Sequence, residues 1–101
     1  MKNRNMTEEE KRTALFDGLL LMIHSAAMQQ MGKIKNPMTD KIERNLEQAQ
    51  MSIDMIDMIA EKTKGNLNEN ELQLMKRLVQ ELKLNYVDEV ARDQSKSKDS
   101  Q

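Results

Sequence analysis

The sequence contains no cysteine, one proline, three glycines and two aromatic residues, Phe16 and Tyr86, among 101 positions. Without cysteine there is neither a disulfide framework nor a thiolate metal site, which fits a reducing cytoplasm. With so few aromatics, the core has to be made of Leu, Ile, Met and Ala, and methionine is plentiful at ten residues. Scarce glycine and proline, with 33% charged residues, favour helix over sheet or coil. A charge bias is also missing. Lys and Arg number 16 against 17 Asp and Glu, a net charge of −1, so nothing in bulk electrostatics draws the chain to nucleic acid or anionic membrane. The longest uncharged stretch, Gly18 to Gly32, contains His24, Ser25, Gln29 and Gln30. It falls short of the roughly 20 apolar residues a membrane span needs. The opening MKNRNMTEEEKR is too polar for a secretory leader. These features lead us to expect a cytoplasmic chain with a single domain and one modest core.

What is present is helix punctuation. Thr7-Glu8-Glu9-Glu10 forms a capping box with an acidic first turn, so a first helix is expected over about 8–31, closed by Gly32 and preceded by a frayed tail over 1–6. Leu15, Leu19, Met22 and Ala26 make one apolar stripe. Phe16, Leu20, Ile23 and Ala27 make the next, and Leu21, Met28 and Met31 lie off to another side. A helix apolar around most of its circumference is normally buried, and a second subunit would supply the cover that two further helices cannot.

Asn36-Pro37 marks a loop, and Asp40 with Glu43 resembles an N-terminal box, so a second helix is expected over about 40–64. On a wheel it separates three faces. Ile42, Leu46, Ala49, Ile53, Ile56 and Ala60 form a bundle seam; Glu43, Glu47, Asp54, Asp57 and Glu61 form an acidic stripe; Met51, Met55 and Met58 lie on the far side. Gly65 closes this helix behind Lys62 and Lys64, and Asn68 with Glu71 opens a third over about 69–92, flanked by the staple pair Leu67 and Leu72. So short a connection makes the second and third helices antiparallel neighbours. Leu72, Met75, Val79, Leu82, Tyr86 and Val90 give the third helix its seam, with Leu78 alongside. The domain then spans 1–92, and 93–101 (DQSKSKDSQ) reads as a disordered polar tail. The fold class is all-α: a three-helix bundle, with a helical hairpin set against an apolar first helix.

One set of motifs is more specific. Gln29-Gln30-Met31-Gly32-Lys33-Ile34, Asn36-Pro37, Asn45-Leu46-Glu47-Gln48-Ala49, Ile53-Asp54, Glu61-Lys62-Thr63-Lys64-Gly65-Asn66-Leu67 and Asn85-Tyr86-Val87 together resemble a family of short bacterial proteins catalogued only as a domain of unknown function. The likeness covers about 15–90 and is densest between Asn45 and Leu67. It implies a small, cytoplasmic, all-helical bacterial protein, and it supplies no activity, cofactor or site residue. Lys35, where related chains often carry proline, and the high methionine content depart from the pattern.

Candidate chemistry is thin. A di-metal carboxylate site would need Glu-x-x-His pairs, and the single histidine, His24, has no Glu three residues before it. The acidic stripe therefore reads as a solvated or lysine-paired face. His24 is most simply a packed, hydrogen-bonded residue, and neighbouring Ser25 points about 100° away, so the two do not form a nucleophile–base pair. The glycines are too few and too scattered for a phosphate-cradling loop. Lys33, Lys35 and Lys41, and separately Lys62 and Lys64, form small basic patches without aromatic platforms. The expected role is a non-enzymatic, homo-oligomeric protein–protein interaction module with no cofactor and no metal. Its interface is drawn from Leu21, Met28, Met31, Met51, Met55 and Met58. The alternatives are a nucleic-acid-associated regulator using the loop lysines, and an enzyme whose site forms at an oligomer interface around His24.

Overall fold

The structure, a computed structural model, describes residues 5–99, with side chains described for 5–96. It contains three helices, α1 (Glu8–Gln30), α2 (Leu46–Lys62) and α3 (Glu69–Asp99). The all-α architecture is as the sequence indicates. The parts of the two expected tails at 1–4 and 100–101 lie outside the described residues.

Each helix starts where side-chain chemistry can replace missing backbone partners. At α1 the Glu10 amide donates to Thr7 Oγ1 at 3.0 Å and the Thr7 amide donates to Glu10 Oε1 at 2.9 Å. At α3 the same reciprocal box joins the Glu71 amide to Asn68 Oδ1 and the Asn68 amide to Glu71 Oε1, each at 2.9 Å. Gly32 (φ 81°) and Gly65 (φ 84°) take the left-handed conformation after α1 and α2. The α2–α3 turn is short, and it closes with the Asn66 amide on the Thr63 carbonyl at 2.8 Å.

The second helix begins later than its sequence suggests. Asp40 does not cap it: the residue has φ 58°, a conformation aspartate tolerates inside turns. The Asn36-Pro37 turn recruits the local polar groups instead. Asn36 Oδ1 accepts from the Met38 amide at 2.9 Å, the Asp40 amide donates to the Asn36 carbonyl at 2.7 Å, and an isolated antiparallel bridge pairs Asn36 with Lys41. Glu43 is bound by Asn36 Nδ2 at 2.8 Å and Thr39 Oγ1 at 3.1 Å, so it too serves the loop. The cap is Asn45, whose Oδ1 accepts from the Gln48 amide at 3.1 Å. Ile42 consequently falls in the loop and is 53% exposed, outside the seam.

Leu20, Ala27 and Met31, Ala49, Ile53 and Ile56, and Met75, Leu78 and Leu82 meet in one core. Phe16, Ile23, Leu46, Ala60, Val79 and Tyr86 pack at its edge. Among these, Leu20, Met31, Ile56 and Leu82 are the largest side chains that are fully enclosed. The first helix is not buried all round. Leu15, Leu19, Leu21 and Met22 stay exposed, so α1 packs along one face only. The third helix runs on to Asp99 instead of ending near Arg92, because Arg44 holds Asp93 at 2.9 Å and no glycine or proline follows to stop it.

Candidate interaction surfaces

Four arrangements on this scaffold could carry function. The first is a charged clamp. Glu89 lies on the inward side of α3 with its side chain 4% exposed, and three cations converge on it. Lys33 Nζ is 2.7 Å from Oε2, Arg44 Nε donates to Oε1 at 2.9 Å, and Arg92 Nη1 donates to Oε2 at 2.9 Å. Arg44 also donates to the Glu89 carbonyl at 3.3 Å and to Asp93 Oδ1 at 2.9 Å, while Lys33 also reaches Asp88 at 3.0 Å. Burial pushes the Glu89 carboxyl up, but hydrogen bonds from Lys33 and Arg44 and the charges of Lys33 and Arg92 outweigh it. The group is held below the usual glutamate range. Its hydrogen bonds to Glu89 and then Asp88 move Lys33 up, and Arg44 rises through Asp93 first. All six charged groups are engaged with one another, so the clamp fastens the 31–45 loop to α3.

The second arrangement contains the lone histidine. His24 Nε2 lies 2.6 Å from Glu81 Oε1, joining α1 to α3, and Ser25 points to solvent. The third is the acidic stripe, which does not act as a unit. Glu43 belongs to the loop, Asp54 accepts from Gln50 Nε2 at 2.9 Å, and Asp57 pairs with Lys83 of α3 at 2.9 Å. Among the described residues no group of three or more His, Cys, Asp or Glu side chains is placed to hold a metal ion.

The fourth is apolar surface. Of the interface residues expected from sequence, Met31 is fully enclosed and shares the core with residues of α2 and α3, so it is not an interface residue. Met28 is half-buried against that core. Leu21 (49% exposed) borders a hollow of about 800 Å³ between α1 and the loop. Met51, Met55 and Met58 are 63%, 48% and 46% exposed and run along the outer side of α2. Beside Met58 an open groove of about 1160 Å³ follows the seam between α2 and α3 on the side away from α1. Its apolar lining includes Leu67, Leu72, Val79, Leu84 and Val87. Asp54, Asp57 and Glu61 stand on its α2 wall; Lys76 and Lys83 stand on its α3 wall.

The loop lysines are partly committed: Lys33 to Glu89 and Asp88, and Lys35 to Asp40 at 3.9 Å. Sequence reasoning passed over Glu89 and the buried Ser52, whose hydroxyl meets the Gln30 side-chain amide of α1 at 2.7 Å. Turning that amide lets its nitrogen donate also to the Gln48 carbonyl at 3.1 Å. The available signal was a polar residue falling at a seam position on each helix.

The domain is small and helical, with several charges engaged in internal pairs and an apolar groove along the outer side of the α2–α3 hairpin. Residues 13–88 match the family described as Domain of unknown function (DUF1844), and the chain belongs to that family. No curated protein and no solved structure matches it. No described helix is long and apolar enough to cross a membrane.

Proposed function

We propose that the protein is a non-enzymatic, homo-oligomeric interaction module of the cytoplasm. The observation that supports this reading is the apolar surface that remains after the core is closed. Met51, Met55 and Met58 on α2 and Leu84 and Val87 on α3 all stand between 46% and 65% exposed on one hairpin. Several large exposed apolar side chains on one small hairpin mark a contact site, and methionine adapts its shape to a partner. The ionisable groups favour the same reading, since Glu89, Lys33, Arg44, His24 and Asp57 are all spent on internal pairs. Sedimentation equilibrium at micromolar concentration tests the reading, and a folded monomer at that concentration refutes it. Met55→Glu with Met58→Glu is expected to weaken self-association at least tenfold, because two charges would have to be buried with each copy.

A further inference from the structure

The α2–α3 groove differs from the rest of the apolar surface because its two walls carry opposite charge. Asp54, Asp57 and Glu61 are on one side, with Lys64 beyond them at the turn, and Lys76 and Lys83 are on the other, with Leu72, Val79 and Val87 between. Only Asp57 and Lys83 reach across to each other, at 2.9 Å. Among the described residues the Glu61 and Lys76 side chains have no ion-pair partner within the chain. We infer that the occupant of this groove is a second copy of the same hairpin, related by a two-fold axis running along the helices, so that the acidic α2 wall of each copy faces the basic α3 wall of the other. This inference rests on the oligomeric reading above and names its interface.

Symmetry favours this choice over an unrelated helix. A two-fold contact uses one patch twice, so the patch has to complement itself. An axis parallel to the hairpin sets α2 opposite the second copy's α3; an axis perpendicular to the helices within the contact plane would set acid against acid. Rotation about the parallel axis preserves height along it, and the Asp57–Lys83 pair shows which positions of α2 and α3 are level. Glu61 lies four residues toward the turn from Asp57 and Lys76 seven from Lys83, about 6 and 10 Å at 1.5 Å per residue. Each Glu61 therefore comes within side-chain reach of a Lys76 in the other copy. Met58 and Leu84 are 46% and 65% exposed on the outer edges of the two helices, so Met58 of each copy lies along the same edge as Leu84 of the other. Nearly balanced charge, 16 basic against 17 acidic residues, leaves little general repulsion between copies.

The test reverses one wall at a time and leaves the Asp57–Lys83 pair intact. Asp54→Lys with Glu61→Lys makes both walls basic; Lys76→Glu with Gln80→Glu makes both acidic. Each variant alone is expected to self-associate at least tenfold more weakly than the parent at low salt. An equimolar mixture is expected to recover parent-like affinity as a one-to-one heterodimer. Variants that keep the parental mass, or a mixture that stays monomeric, overturn the inference. If the parent is an oligomer and the variants do not matter, the interface is wrong and the oligomeric reading survives; if the parent is a monomer, both fall. A second measurement, independent of wall charge, uses the absence of native cysteine. Met58→Cys and Leu84→Cys chains, mixed and oxidised, are expected to cross-link to each other several-fold more than to themselves, and equal yields overturn the proposed axis.

Discussion

Replacing Glu89 with alanine removes the acceptor that Lys33, Arg44 and Arg92 share, at 2.7, 2.9 and 2.9 Å. Deleting one partner of a buried ion pair typically costs about 3–5 kcal/mol, because the other charge is stranded. Here the stranding is incomplete. Lys33 and Arg44 have side chains 21% and 33% exposed, and they retain Asp88 and Asp93. Arg92 is 65% exposed and recovers water almost fully. The expected loss is therefore about 2 kcal/mol, or a fall of about 10 °C in Tm for a domain of this size. Urea denaturation followed by far-ultraviolet circular dichroism reads the first quantity. Hydrogen exchange reads the second consequence, since the Asn36 and Asn45 amides, bonded to the Lys41 and Gln30 carbonyls, are expected to lose protection when the loop is released. Arg92→Ala is the control, with a cost of a few tenths of a kcal/mol, as for other exposed pairs (about 0.2–1 kcal/mol). A Glu89→Ala loss below about 0.5 kcal/mol with unchanged loop exchange would refute the clamp, because that is the range of ordinary surface substitutions.

Two further expectations concern pH and glycine. Because Glu89 is depressed below its ordinary value of 4.5, its contribution is fully present above that value and is lost as pH falls through the lower folded value. Lys33, raised above 10.5, contributes below that value and loses its share as pH climbs through the raised one. Stability measured against pH should thus decline on the acid side, and Glu89→Gln should flatten that decline; an unchanged slope contradicts the assignment. Gly65→Ala meets no neighbour and is expected to cost about 1–2 kcal/mol from its left-handed backbone alone. Gly32→Ala has the same backbone strain, and its Cβ would lie 3.1 Å from Arg44 Cδ, so a further loss of about 1 kcal/mol is expected from disturbing the clamp. Equal thermal shifts for the two would count against that coupling.

Much of the fold was legible because its signals are local. Thr7 with Glu10, Asn68 with Glu71, and the two glycines act within a few residues, and each does what its spacing indicates. The seams held at most helical positions: Ala49, Ile53 and Ile56 on α2 and Met75, Leu78 and Leu82 on α3 are buried, whereas Leu72, expected on the α3 seam, is 36% exposed and lines the outer groove because it falls in the first turn of that helix. The start of α2 was not legible because Asp40–Glu43 and Asn45–Gln48 satisfy the same spacing rule, and the choice turned on Asn36 and Thr39 binding Glu43 first. Met31 was misplaced for a related reason. Wheel geometry gives its side of α1, but Met31 is the C-cap of that helix and closes into the core shared with α2 and α3. Glu89 depends on where that loop places Lys33 and Arg44, 56 and 45 positions earlier in the chain, and periodicity cannot see such a pairing. The polar stretch after Arg92 has the composition of a disordered tail, yet nothing in it breaks a helix already anchored at Asp93.

The loop from Met31 to Asn45 also bears on the order of events in folding. Helices α2 and α3 are joined by a turn of a few residues, so their contacts close cheaply, whereas the Arg44–Glu89 contact closes a segment of 45 residues. The hairpin is thus expected to form in the transition state, with the strap fastening only afterwards. Glu89→Ala should then speed unfolding by nearly the whole of its equilibrium effect and leave the folding rate almost unchanged. By this account the strap acts as a latch, adding lifetime to a hairpin that is already assembled.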